Sequence, residues 1–217
     1  GKEFRTFMKL PPDKWEKNKI MEKLWAINFG IDLLLAHIYT GKIFKEEKIP
    51  PHLLKIPIMC NAFSICGDVT AEGKHFFGRD FMFPTANVFQ DTACLIIYKP
   101  EAEGGQTFLP IVSQTAPGII GAMAAINREG VAIGVDMSPG MLCNPDRPGL
   151  NSLALNRVSM EHCPSIDNLV AYMTDAPRGV SWLYPAADGK SGKACIIEAG
   201  CNLGDQPFPY FDYLPEH

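Results

Sequence analysis

The pattern of hydrophobic positions divides the chain into an N-terminal helix and a longer region of short strands. Between Asp13 and Gly41, which supply start and stop signals, apolar side chains recur at roughly helical spacing. Asn28, Asp32 and His37 interrupt this stretch, and its apolar part is too short to cross a bilayer. The pattern therefore favours a helix buried against protein over one in contact with a membrane.

After the helix, a basic and proline-bearing stretch over residues 42–57 predicts an exposed connector. Strand-like runs over residues 58–65 and 75–83, separated by the turn-rich GDVTAEGK, predict a hairpin. Later strand-like runs are ACLIIYK, TFLPIVSQT, GIIGAMAAI, VAIGVDM and the two runs of SWLYPAADGKSGKACIIEA, and helical patterns cover residues 151–162 and 165–173. We therefore predict an α+β fold in which helices cover an antiparallel or mixed sheet, with a helical segment and connector over residues 1–59 and a globular domain over residues 60–217.

Composition and charge narrow the classes of partner. The formal charge of -4 and the pI of about 5.7 give no broad positive field, which argues against nucleic acid and favours a small organic substrate. The seven cysteines form no C-x-x-C pair, and no nucleotide-binding glycine motif occurs, so we predict no metal and no cofactor. An odd number of cysteines without a secretory leader favours reduced thiols and a cytoplasmic location.

Cys60 is the first candidate for chemistry. It lies near the beginning of a predicted strand, directly after the connector. A backbone break before it would place a free α-amine beside the thiol, and an amine with a pKa near 8 can act as a base at neutral pH. One residue would then supply both nucleophile and base. The alternative is a small buried side chain of the kind that most free cysteines form.

Arg79 is the second candidate. In a strand over HFFGRDFMFP, the pleat directs Arg79, Phe81 and Phe83 to one side and Asp80 and Met82 to the other. An arginine among apolar residues requires a partner if it is buried. The alternative is an arginine on an edge strand that reaches solvent.

These residues resemble a known superfamily. The segment CNAFSICGDVTAEGKHFFGRDFMFP is similar to the opening of mature chains of the choloylglycine hydrolases, penicillin V acylases and acyl-coenzyme A:isopenicillin-N acyltransferases, with acid ceramidase as a more distant relative. Cys60, Gly73, Lys74, Gly78 and Arg79 carry the match. The resemblance continues through GAMAAINREGVAIGVDMSPG, RPGLNSLALNRVSMEHCPSIDNLVAYM and SWLYPAADGKSGKACIIEA, so it covers residues 59–199.

The resemblance implies an N-terminal-nucleophile hydrolase with a four-layer αββα sandwich. It implies self-cleavage between Met59 and Cys60, after which Cys60 hydrolyses a linear, non-peptide amide of an N-acyl substrate through a thioester, with Arg79 orienting the nucleophile or substrate. We expect the released segment to remain docked or to cover the site in the precursor. The chain could form a homo-oligomer, and the sequence does not decide this. The simplest interpretation of the C-terminal region is that the domain continues beyond His217.

The chain departs from the family pattern at two places. Met82 stands where the family has an aspartate that holds the new α-amine, and Asp80 stands where it has an asparagine, so Asp80 is our candidate for the lost role. Relatives have an asparagine after the hairpin that donates to the oxyanion, whereas the corresponding stretch here reads Val135, Asp136, Met137, so a backbone N–H near Asp136 or Met137 would have to serve. Two other hypotheses stay open, namely an acyltransferase that uses the same thioester and a catalytically silent protein that binds a ligand or partner.

Overall fold

The computed structural model describes residues 17–39, 60–82, 91–137 and 149–200, and the side chains of residues 20–33 in the first range. The N-terminal helix α1 runs Lys17–Tyr39. Its predicted start and stop signals, Asp13 and Gly41, lie outside the described residues, as does the predicted connector. None of the described helices is long and apolar enough to cross a membrane.

In the described part of the chain, two antiparallel sheets and two further α-helices follow α1. The smaller sheet is a hairpin of β1 (Asn61–Ile65) and β2 (Phe76–Asp80). The larger sheet contains β3 (Cys94–Tyr98), β4 (Ile111–Thr115), β5 (Ala124–Asn127), β6 (Val131–Gly134), β7 (Asp136–Met137), β8 (Trp182–Asp188) and β9 (Lys193–Ala199). Helices α2 (Ser152–His162) and α3 (Ile166–Asp175) lie between β7 and β8 in the chain. The prediction of an α+β fold is confirmed, and the pairings between the described strands are all antiparallel.

The larger sheet has the strand order β3-β4-β5-β6-β8, with β7 beside the first half of β8 and β9 on its other side. One face packs against α2 and α3. Asn127 on β5 donates to the carbonyls of Met160 and Cys163 at the end of α2, and Asp188 on β8 accepts from the backbone nitrogen of Ile166 at the start of α3. These bonds satisfy groups that helix termini leave unpaired, and they fix both helices to the sheet.

The other face of the large sheet carries the hairpin. His75, directly before β2, fixes one end of it, because its Nδ1 lies 3.2 Å from the Asp188 carbonyl oxygen and its Nε2 lies 2.5 Å from the Ser64 hydroxyl. A carbonyl oxygen only accepts, so Nδ1 donates to the Asp188 carbonyl. The described elements thus form three layers, with helices, large sheet and hairpin in that order.

A proline interrupts the ladder in the middle of the large sheet. β8 pairs with β6 as far as Ile133 opposite Ala186, and pairing with β7 resumes at Asp136 opposite Leu183 in the same register. Pro185 is the residue that this register places opposite Gly134. Because proline has no N–H to donate, the ladder loses a hydrogen bond there, and β6 and β7 are separate strands with Val135 between them.

Helix α1 is fastened to the globular unit by two polar side chains. Asn28 accepts from the backbone nitrogen of Ile120 at 2.7 Å and donates to the carbonyl of Gly118 at 2.8 Å. Asp32 accepts from the backbone nitrogen and hydroxyl of Ser152, each at 2.6 Å. It also accepts from the side chains of Asn151 at 3.0 Å and Trp182 at 3.2 Å.

We expect Asp32→Ala to lower the free energy of unfolding by about 2 to 4 kcal/mol, because four donors lose their acceptor at a partly buried site. Urea unfolding followed by tryptophan fluorescence measures this. Glu22→Ala, an exposed carboxylate on the same helix, is the matched control and should leave the midpoint unchanged. Equal midpoints for the two variants would show that Asp32 does not fasten α1.

Burial raises the pKa of Asp32 above its ordinary value of 3.8, although its hydrogen bonds oppose the change. The folded protein therefore keeps the Asp32 proton to a higher pH than the unfolded chain does. For this group alone, stability is greatest below 3.8 and falls as the pH rises through the raised pKa.

Candidate active site at Cys60

The hairpin brings the two main candidates, Cys60 and Arg79, to one end of the large sheet. Cys60 directly precedes β1, and Arg79 on β2 lies opposite Ala62 on β1. Asp80, the next residue of β2, is exposed. The pleat therefore separates Arg79 from Asp80 and directs Arg79 towards the large sheet.

Arg79 is buried and paired. Its side chain is only 3% exposed, and one terminal nitrogen lies 3.3 Å from a carboxylate oxygen of Asp136 and donates to the carbonyl of Val135. The guanidinium also lies over the ring of Phe81, 4.7 Å from its centroid. The alternative of an edge arginine that reaches solvent does not describe this side chain. Phe83, which the pleat places on the same side, lies outside the described residues.

The half-buried thiol of Cys60 lies among donors and charges. Burial raises its pKa above the ordinary value of 9.0. Backbone hydrogen bonds from Met82 and Met137 and the positive charge of Arg79 act in the opposite direction, while the negative charge of Asp136 adds to the increase. The thiol of the uncleaved chain is therefore mainly protonated at neutral pH, and both its reactivity and its thiolate fraction rise with pH.

The pKa values of Arg79 and Asp136, the two charged residues beside the Cys60 thiol, also depart from their ordinary values. Burial lowers the pKa of the Arg79 guanidinium, against the opposing effects of Cys60, Asp136 and Asp80. Burial also raises the pKa of Asp136, which Arg79 counteracts and Asp80 reinforces. A buried ion pair of this kind is costly to break, because either partner alone would be left as an uncompensated charge.

Asp80 and Met82 differ in how they reach the site. A carboxylate oxygen of Asp80 accepts from the backbone nitrogen of Asn61 at 2.6 Å, and the other lies 3.5 Å from the Asn61 side-chain nitrogen. Asp80 thus binds the residue directly after Cys60. Met82 contributes its backbone, which hydrogen-bonds the thiol. Met59, on the other side of the predicted cleavage site, lies outside the described residues.

A mainly apolar cleft of about 800 Å³ lies between the hairpin and the large sheet. Arg79 lines it, and its other walls include Phe77, Leu95, Ile126 and Ala132. The cleft extends from Arg79 along β2 towards His75. Its volume lies in the range of small-molecule sites, which are typically apolar with a few placed polar groups.

The sequence analysis missed two backbone features of this site. Val135 supplies a carbonyl to Arg79, and Gly134 leaves the space that the arginine stem occupies. The only available signal was Gly134 itself, an isolated glycine inside a strand pattern, which indicates close approach by another group. Among the described residues, no three His, Cys, Asp or Glu side chains are grouped to hold a metal ion.

We expect Asp136→Asn to lower the pKa of the Cys60 thiol, because the substitution removes the negative charge that raises it and retains Arg79. At pH 7.5 the rate of Cys60 alkylation by iodoacetamide should increase about threefold to tenfold. Peptide mass mapping after timed labelling measures the rate at Cys60 alone. Glu198→Gln, an exposed carboxylate two strands away, should leave it unchanged, and a slower rate in Asp136→Asn would contradict the electrostatic account.

Comparison with known proteins adds one relative. No protein-family model matches the chain. A protein of Archaeoglobus fulgidus described as uncharacterized is 34% identical over 167 residues, which make up 76% of this chain and 26% of the archaeal protein. The chain therefore spans about a quarter of the length of the curated relative that it matches. The similarity relates the chain to a segment of a longer protein, and it assigns no activity to the chain.

Proposed function

We propose that the chain forms part of a self-processing cysteine amidohydrolase of the N-terminal-nucleophile kind. The observation that carries this proposal is the position of the Cys60 thiol, at the start of β1 and within reach of the Arg79 guanidinium and the backbone of Met82 and Met137. Such a cluster combines a nucleophile, a fixed positive charge and hydrogen-bond donors.

In the uncleaved chain the nitrogen of Cys60 belongs to the peptide bond with Met59. The thiolate adds to the Met59 carbonyl carbon, and the C–N bond breaks as the Cys60 nitrogen takes up a proton. Water then hydrolyses the resulting thioester. The products are a free carboxylate on Met59 and a free α-amine on Cys60, which gives the nucleophile its own base.

Turnover uses the same atoms. The α-amine takes the thiol proton as Sγ adds to the carbonyl of an amide substrate, and the negative oxygen accepts from the backbone nitrogens of Met82 and Met137. The substrate nitrogen leaves with the proton, and water hydrolyses the acyl thioester to a carboxylate. Asp80 holds the backbone of Asn61 and thereby positions the α-amine one residue earlier. Asp80 thus takes over the role of holding the α-amine, which the side chain of Met82 cannot perform.

The cleft supports an N-acyl amide as the class of substrate. Its walls are mainly apolar, and Arg79 connects it to the thiol. An N-acyl amide fits this arrangement, because an apolar acyl group can occupy the cleft while the amide carbonyl lies beside Sγ. Burial of the acyl group would contribute about 25 cal/mol for each Å² of apolar surface removed from water.

We further propose that the three described layers belong to a four-layer αββα sandwich. The large sheet is apolar on both faces, and on the hairpin side Leu95, Ile97 and Ile196 remain largely exposed. The outer side of the hairpin also carries exposed Phe63 and Phe76. An antiparallel sheet with two apolar faces requires cover on both. Further strands beside the hairpin and a helical layer outside it would provide this cover.

Intact-mass spectrometry and N-terminal sequencing of the purified wild-type protein test the proposal. We expect two fragments that separate between Met59 and Cys60, followed by release of amine from N-acyl amides and transient acylation of Cys60. If a second amine is added and a new amide forms from it and the acyl group, the protein is an acyltransferase instead. A chain that stays intact at pH 7 to 9 and never acylates would reject the enzyme and leave a protein that binds a ligand or partner.

A further inference from the structure

The stem of Arg79 crosses the large sheet at Gly134, the last residue of β6. A Cβ atom at position 134 would lie 2.9 Å from Nε, 3.0 Å from Cγ and 3.2 Å from Cδ of Arg79. These separations are shorter than ordinary van der Waals contacts between carbon atoms, which are about 3.5 to 4.0 Å. A side chain at position 134 would therefore require the arginine stem to shift by a few tenths of an ångström.

Gly134 is required for space, because its backbone conformation is open to any residue. The glycines with positive φ in the described chain include Gly118 and Gly130 but not Gly134. The sequence alone does not distinguish a glycine that is required for a positive φ from a glycine that is required for space. Here the missing Cβ, and not an unusual backbone conformation, accounts for the glycine.

Passage over Gly134 allows the guanidinium to reach its partners. Beyond the glycine, one terminal nitrogen meets the carbonyl of Val135 and the carboxylate of Asp136, the next two residues of the chain. The Nε atom is buried and has no acceptor among the described residues. The hydrogen bonds of Arg79 within the sheet thus converge on its far end, where the thiol of Cys60 also lies.

We infer that Gly134 is a positioning residue, which acts on Cys60 through Arg79 by leaving the space in which the guanidinium reaches the thiol. The inference rests on the proposed function in one respect, namely that this thiol is the nucleophile. The position of the arginine itself depends only on the contacts described.

The test measures the rate of Cys60 alkylation by iodoacetamide as a function of pH in the wild type and in Gly134→Ala. Displacement of the guanidinium weakens its effect on the thiolate, so the apparent pKa should rise by about half a unit, and alkylation at pH 8 should be about threefold slower. Gly30→Ala is the matched control, since nothing lies within 4 Å of the Cβ that it adds on α1. It should alkylate as the wild type does.

A double variant separates positioning from general damage to the fold. If Gly134 acts through Arg79, adding Gly134→Ala to Arg79→Ala should change the alkylation profile no further, because the contact has already been removed. Circular dichroism melting of each variant identifies any that fail to fold. If Gly134→Ala itself unfolds, the comparison moves to the Arg79→Ala background, where no arginine stem meets the added Cβ and Gly134→Ala should therefore cost no further stability.

An unchanged alkylation profile in folded Gly134→Ala would overturn the inference. The same shift in the Arg79→Ala background would overturn it as well. Neither measurement requires cleavage or turnover, so a wild-type chain that never cleaves would reject the proposed function while leaving this test intact. Conversely, cleavage with no effect of Gly134→Ala on the thiol would reject only the positioning role.

Discussion

Cys60→Ala should remain a single uncleaved chain under conditions in which the wild type gives two fragments, and its amide hydrolysis should fall to background. Both effects follow because no other side chain at the start of β1 can form the thioester. Intact-mass spectrometry over a time course measures the first effect, and amine release from an N-acyl amide measures the second.

Cys66→Ala is the matched control for this loss. Cys66 lies just beyond the other end of β1, is also half-buried, and its thiol contacts the carbonyl of Gly192 at 3.4 Å. It should cleave and turn over at wild-type rates. Cleavage that persists in Cys60→Ala, or disappears equally in Cys66→Ala, would remove Cys60 from the role of nucleophile.

Arg79→Met should slow self-cleavage about hundredfold or more, an effect of the size seen when one preorganised electrostatic group is removed from an active site. The substitution removes the positive charge that favours the thiolate, while Asp136 continues to oppose it. The pKa of Cys60 should therefore rise further. The cleavage rate and the pH dependence of Cys60 alkylation, measured on the same preparation, should change together.

Arg79→Lys and Arg128→Met provide the controls for this prediction. Lysine retains the charge but not the planar fork, so it should restore the alkylation profile more fully than the cleavage rate. Arg128 is exposed on the turn between β5 and β6, and its replacement should change neither. If Arg79→Met alkylates and cleaves as the wild type does, the guanidinium has no part in activating the thiol.

The secondary structure follows from local patterns to a large extent. Alternating apolar positions and the turn-forming residues define the hairpin and the strand pairs, and Ser165 caps α3 because its hydroxyl can accept from the backbone nitrogen of Asn168. The pattern could not specify whether the sheet is antiparallel or mixed, since pairing depends on long-range contacts.

The candidate site is less accessible to sequence reasoning. The pleat separates Arg79 from Asp80 correctly, but it cannot show that Asp136, 57 positions after Arg79, becomes its partner. The α-amine role assigned to Asp80 likewise stays a prediction, since the carboxylate binds Asn61 in the uncleaved chain. The polar residues of α1 show a similar limit: Asn28 and Asp32 interrupt the apolar pattern, yet only the folded chain reveals the loop and helix terminus that they bind.

Pro185 leaves the large sheet one ladder hydrogen bond short beside Gly134, close to the candidate site. A strand without this proline could hydrogen-bond to Gly134, which would hold β6 and β7 as one stiff strand. The chain gives up that reinforcement, so β6 and β7 meet at Val135 without a ladder hydrogen bond from Pro185 beside them. A residue with an N–H at position 185 would let β8 donate to Gly134, and it would thereby tie the junction of β6 and β7, where the Val135 carbonyl accepts from Arg79, to the middle of the sheet.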